Sequence, residues 1–144
     1  MITTRRHVLA GLAAVPALSL ARPARAATTL KISHQFPGGS IEQGDFRDRL
    51  CRKFAEAVTK RTGGALAFDV YPNSSLMKTN AQFSSLRKGA LDLSLYPLAY
   101  AGGEVHASNL GLMPCLVTSY EQAARWKSAK IGQAVAKALE YKGV

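Results

Sequence analysis

Between Tyr71 and Tyr100 the chain reads YPNSSLMKTNAQFSSLRKGALDLSLYPLAY, and no other stretch limits the fold as tightly. Thr79-Asn80-Ala81-Gln82 has the form of a capping box, in which a threonine hydroxyl accepts from the N–H of a glutamine that reaches back. Phe83 and Leu86 then share a helical face, and Gly89 can adopt the left-handed backbone that ends a helix. Leu91, Leu93 and Leu95 alternate with Asp92, Ser94 and Tyr96, the period of two that means strand. With Tyr71-Pro72 closing an earlier strand, the unit is strand–helix–strand. Its polar loops, Pro72 to Lys78 and Tyr96 to Gly103, leave the carboxyl ends of neighbouring strands, the edge where open α/β sheets hold ligands.

The same grammar runs through the rest of the chain. Leu30 to His34 alternates as a first strand, followed by a turn-rich loop from Gln35 to Gly39. Ser40-Ile41-Glu42-Gln43 reads as a second capping box, opening a helix with Phe46, Leu50, Phe54 and Val58 down one side. Its other faces carry Arg47, Asp48, Arg49, Arg52, Lys53 and Glu56, a pattern expected of solvated surface. Gly63-Gly64 stops that helix, and Leu66, Phe68 and Val70 alternate as a second strand. The glycine-punctuated segment from Ala101 to Met113 reads as loop or short helix. Thr118-Ser119-Tyr120-Glu121 is a third capping box, starting a helix carried to about Tyr141 with a break near Gly132. Gly143 stops it, and Val144 reads as the first residue of a further strand, so the chain is expected to be a fragment. Strands alternating with helices through short links predict an α/β fold with a mostly parallel sheet.

Composition narrows the function. The formal charge of +10 would suit a nucleic-acid binder. The first 26 residues, however, contribute four arginines and no acid, and the remainder holds 15 basic and 9 acidic side chains. Those are dispersed, without a basic run or aromatic stripe, so no nucleic-acid partner is expected. Arg5-Arg6, the apolar run Val8 to Leu20 and Ala24-Arg25-Ala26 form an export signal, of the twin-arginine type, cleaved near Ala26. The run is too short to span a bilayer, and residues 27–144 form the expected exported, soluble domain. Cys51 and Cys115 read as two buried small hydrophobes, with a structural disulfide open to them in an oxidising compartment. No metal or cofactor motif is present, and none is expected to bind.

Ser75-Leu76-Met77-Lys78 matches S-x-x-K, the pattern of a serine activated by a lysine one helical turn on, which would make an exported acyl-enzyme. The accompanying S-D-N and K-T-G elements are absent. His34 and His106 show no identifiable partner and read as structural residues. Asn73-Ser74-Ser75 matches a glycosylation acceptor but follows a bacterial type of signal. Binding fits better than catalysis, because a small anion can be held by N–H groups at helix starts. Gln35, Lys78, Tyr96 and Tyr100 are the polar residues on the strand-exit loops.

From Leu30 to Val144 the chain resembles the N-terminal lobe of the solute-binding proteins of TRAP (tripartite ATP-independent periplasmic) transporters. The residues that carry the likeness are Leu66 to Pro72 with Ser75-Leu76, Leu86-Arg87-Lys88-Gly89-Ala90-Leu91-Asp92, Gly111-Leu112-Met113-Pro114, Tyr120-Glu121-Gln122-Ala123 and Lys142-Gly143-Val144. The resemblance implies one lobe of a two-lobed periplasmic binding protein, with the second lobe missing. It also implies a non-enzymatic carrier that closes over a small organic acid and delivers it to membrane subunits for ion-gradient-driven uptake. By position, first-lobe ligand contacts fall on Gln35, Lys78, Pro97 and Tyr100. Pro97 stands where some members have a polar residue, and the arginine that typically clamps the carboxylate belongs to the other lobe. The binding protein of an ATP-driven importer, built on a similar lobe, is the other carrier of this form.

Overall fold

A computed structural model describes residues 27–144; the export signal read at residues 1–26 lies outside the described residues. Its centre is a three-stranded parallel sheet in the order β2-β1-β3, formed by Thr28–His34 (β1), Leu66–Tyr71 (β2) and Leu93–Leu95 (β3). β1 lies in the middle, with Ile32 opposite both Val70 and Leu93. Ser33 pairs with Ser94, and His34 with Leu95. The expected parallel α/β sheet is therefore present, and β3 is shorter than the Leu91–Leu95 alternation predicts. Leu91 is buried but precedes the strand, just after Gly89 closes the preceding helix at φ 68.

Helices cover both faces. Because successive strand residues point to opposite sides, His34 reaches α1 (Phe46–Arg61) while Ser94 reaches α2 (Thr79–Arg87). Behind α2 lie two 3-10 helices, Leu98–Ala101 and His106–Leu112, and then α3 (Tyr120–Arg125), a 3-10 turn Trp126–Ser128 and α4 (Lys130–Glu140). The core on this side is Phe83, Ala101 and Val105, with Tyr96, Ala107, Ala138 and Leu139 packed around them.

The helix starts depart from the sequence reading, each for a local reason. Ser40 does not cap a helix. Its Oγ accepts from the N–H groups of Glu42 and Gln43 in a closed turn, and α1 begins at Phe46 with Asp45 as its cap. The 79–82 box is likewise not formed: α2 starts after Lys78 with no side-chain cap. Thr79 Oγ1 instead pairs with Ser74 Oγ, and Gln82 turns inward to β3. The third box is offset by one residue, since Ser119 Oγ accepts from Gln122 N–H while Gln122 Oε1 accepts from Thr118 N–H. The long final helix is broken at Ala129, whose extended backbone separates the 3-10 turn from α4. Gly143 follows α4 as expected, but Val144 donates its N–H back to the Leu139 carbonyl and joins no strand.

α1 is also rotated from the expected setting. Its inward line is Asp48, Cys51, Ala55 and Val58 at helical spacing, whereas Phe46, Leu50 and Phe54 are 70%, 56% and 44% exposed. Asp48, read as surface, is fully buried. The rotation leaves an apolar groove of ≈ 290 Å³ lined by Ile32, Leu50, Cys51, Phe54, Leu93 and Leu95.

Candidate functional site

Parallel pairing fixes where the candidate binding residues go. Gln35 follows the carboxyl end of β1, Lys78 ends the loop that leaves β2, and Pro97 and Tyr100 follow β3. All leave the same edge of one sheet. Gln35 is half-buried and Lys78 exposed at the first turn of α2. Pro97 caps the 3-10 helix that carries Tyr100, and Tyr100 is 53% exposed. A run of aromatic rings ties this last corner to the core: Phe83 lies 6.4 Å from Tyr96, and Tyr96 lies 5.9 Å from Tyr100. Burial, the largest influence, pushes the Tyr96 phenol above its ordinary value, with the charge of Glu104 adding to it. The Tyr96 ring supports Tyr100 from the core side.

Beneath the edge sit polar groups that are buried and mutually bound. His34 Nε2 is 3.1 Å from Asp48 Oδ1 with both side chains buried. Asp48 Oδ2 accepts from Gly39 N–H at 2.9 Å and from Arg52 Nε at 2.7 Å. Burial pushes the Asp48 carboxyl up, but the hydrogen bond and charge of Arg52, with the Gly39 N–H, outweigh it, so the group ends below its ordinary value. At the start of α1, Asp45 accepts from Arg47 Nε at 2.8 Å and from its second guanidinium nitrogen at 2.6 Å, and is held at about 2. Arg47 also lies 3.6 Å over the Phe36 ring, beside Gln35. On the other face Ser94 Oγ donates to Gln82 Oε1 at 2.5 Å, joining β3 to α2.

These carboxyls set an acid limit. Both lose protons more readily folded than unfolded, so the native state binds fewer protons and stability rises with pH through that window. The contribution is complete above the unfolded value near 3.8 and is lost on acidification, that of Asp45 as pH falls toward about 2. Melting temperature should be flat above about pH 5 and drop between pH 4 and pH 2. Asp45→Asn, which keeps a competent helix cap, should drop less steeply. An Asp45→Asn curve as steep as that of the wild type would remove Asp45 from the account.

Against this geometry, the family model for bacterial extracellular solute-binding protein, family 7, matches residues 42–144. The chain belongs to that family. A solute-binding protein of Albidiferax ferrireducens is 63% identical over 117 residues, covering 81% of this chain and 35% of its own length. The C4-dicarboxylate-binding periplasmic protein of Rhodobacter capsulatus is 30% identical over 143 residues, covering 96% of this chain and 41% of its own. Among solved structures, a TRAP periplasmic solute-binding protein from Rhodoferax ferrireducens with bound malonate aligns at a TM-score of 0.76 and 65% identity. That alignment covers 78% of this chain and 36% of the other. The chain thus spans about a third of the length of these family 7 relatives, which is one lobe of the solute-binding fold.

Within a family of binding proteins, the Ser75-x-x-Lys78 pattern loses its footing. α2 begins after Lys78, so serine and lysine are not successive turns of one helix, and both side chains are exposed. The two cysteines differ: Cys51 is buried beneath α1, while Cys115, expected inside, is exposed with φ 61, and both thiols are free. Burial and the nearby Asp48 charge push the Cys51 thiol up, away from the reactive thiolate. Among the described residues, no group of three His, Cys, Asp or Glu side chains could hold a metal ion. Sequence reasoning missed Asp48 as the partner of His34 because the two lie 14 residues apart and Asp48 sits among charges of an amphipathic helix. Gln82 was hidden by its place in an apparent capping box.

Proposed function

We propose that this chain supplies the first lobe of an exported TRAP-type solute-binding protein, which captures a small organic acid and passes it, unaltered, to membrane subunits for ion-gradient-driven uptake. The observation that carries the reading is the parallel sheet, whose three strand-exit loops at one edge carry Gln35, Lys78, Pro97 and Tyr100. The start of α2 lends the chemistry. Its first-turn N–H groups lack a side-chain cap, and the residue at the cap position is Lys78, which brings a cation to that end. A carboxylate there meets a helix dipole and a cation together, worth roughly 0.3–1 kcal/mol each at an exposed site. The malonate bound by the Rhodoferax ferrireducens protein and the C4-dicarboxylates named for the Rhodobacter capsulatus protein support the substrate class. Export in the twin-arginine manner and delivery into the periplasm belong to the same proposal.

Calorimetry on the full-length protein with malonate as the probe tests it. Lys78→Ala and Tyr100→Phe should each weaken binding by up to about fivefold, or about 1 kcal/mol, and malonate should be recovered unchanged. Unaltered affinity in both variants would remove these residues from the site. Covalent capture of Ser75 by a fluorophosphonate probe would replace the carrier with an acyl-enzyme.

A further inference from the structure

One carboxylate grips both ends of the loop that carries Gln35. Asp48 Oδ1 meets His34, the last residue of β1, and Asp48 Oδ2 accepts from the backbone of Gly39. Between these anchors the loop is fastened sideways to the exit of β2: Asn73 N–H donates to the Phe36 carbonyl and Ser74 N–H to the His34 carbonyl, both at 2.9 Å. Arg52, 28% exposed, holds the second carboxylate oxygen from the next turn of α1. Removing a carboxylate from water is costly, and buried ion pairs rarely stabilise a fold better than apolar residues of equal volume. Its particular product here is geometry, because a single rigid group fixes the distance between the β1 end and Gly39.

We infer that Asp48 is a positioning residue for the rim, holding the backbone of Gln35 to Gly38 in the arrangement in which Gln35 can meet a ligand. Only its effect on ligand affinity rests on the carrier reading above; the anchoring of the loop does not.

The test pairs amide hydrogen exchange with malonate titration on the full-length protein, comparing wild type with Asp48→Ala, Asp48→Asn and Asp48→Glu. In Asp48→Ala the Gly39 amide should exchange at least tenfold faster, while amides of β1 such as Ile32 and of the α1 interior such as Val58 keep wild-type protection. A purely structural carboxylate would instead loosen all of them together. Uniform acceleration, or none, overturns the inference. If the alanine variant does not fold, Asp48→Asn and Asp48→Glu carry the same comparison, with Glu expected to retain the Arg52 pair but misplace Gly39. Malonate affinity should fall about tenfold alongside the local loosening, and unchanged affinity with a loosened Gly39 would sever the loop from binding. A wild type that ignores malonate would count against the carrier reading for that acid, while the exchange pattern would still decide the role of Asp48.

Discussion

Replacing Phe83 with alanine should lower the unfolding free energy by about 3–5 kcal/mol, the range for deleting a large aromatic side chain from a packed core. Phe83 is 2% exposed and is the largest member of the cluster with Ala101 and Val105. Three of its neighbours, Ala101, Ala107 and Ala138, are too small to fill the space it would leave, and Tyr96 and Leu139 could refill it only in part by leaving their present packing. Phe83→Leu retains most of the apolar volume and should cost about 1.5 kcal/mol or less. The ring has a second consequence, because it is the first step in the run through Tyr96 to Tyr100. With Phe83 gone, Tyr96 loses its stacked partner and the 3-10 helix carrying Tyr100 loses its support. Urea unfolding followed by near-ultraviolet circular dichroism reads both effects, as an earlier midpoint and a weakened tyrosine signal. A loss below about 1 kcal/mol, with the aromatic signal intact, would mean that the cluster is not the core of this face.

The contrast between what the chain disclosed and what it concealed follows the range of the interactions involved. β1, β2 and the stop at Gly89 could be read because alternation and a left-handed glycine are properties of adjacent residues. The common edge for Gln35, Lys78 and Tyr100 followed in turn, since parallel strands joined by short links leave no other arrangement. Helix starts were less legible. Ser40 and Thr79 have the spacing of a cap, but the Ser40 bond to Gln43 N–H closes a turn with no helix after it, Thr79 pairs with Ser74 instead, and Asp45 offered α1 a cap with its own arginine clamp. The setting of α1 was legible only in part. Val58 of its apolar side faces inward as read, but Phe46, Leu50 and Phe54 are exposed, and the buried carboxylate of Asp48 meets His34 and Gly39, which lie outside the helix and are invisible to a helical periodicity. For the same reason Gln82 and Ser94 could not be paired beforehand: their hydrogen bond depends on how α2 lies across the sheet.

Gly132→Ala should destabilise the protein by about 2 kcal/mol, although alanine is the better helix former. In an exposed helix interior the exchange would gain about 1 kcal/mol. Gly132, however, is buried in the first turn of α4, where the chain doubles back from the 3-10 turn Trp126–Ser128. An added Cβ would fall well inside contact distance of the Trp126 carbonyl oxygen, 2.8 Å from its carbon and 3.0 Å from Trp126 Cδ1. The obstructing atoms are backbone, so no rotamer change relieves them and the corner itself has to open. Overpacking of this kind costs about 1–3 kcal/mol and occasionally more, and a backbone atom so far inside contact distance puts this site at the upper end, which leaves about 2 kcal/mol after the propensity gain. The corner also governs the far end of α4, where Ala138 and Leu139 rest on the Phe83 cluster. Opening it should therefore loosen the support of Tyr100 as well as shift Trp126. Trp126 fluorescence during thermal unfolding reports both, through a red-shifted native emission and a lower melting temperature. An unchanged or raised melting temperature would show that helix propensity prevails at this position and that the approach of α4 to Trp126 is not a constraint on the fold.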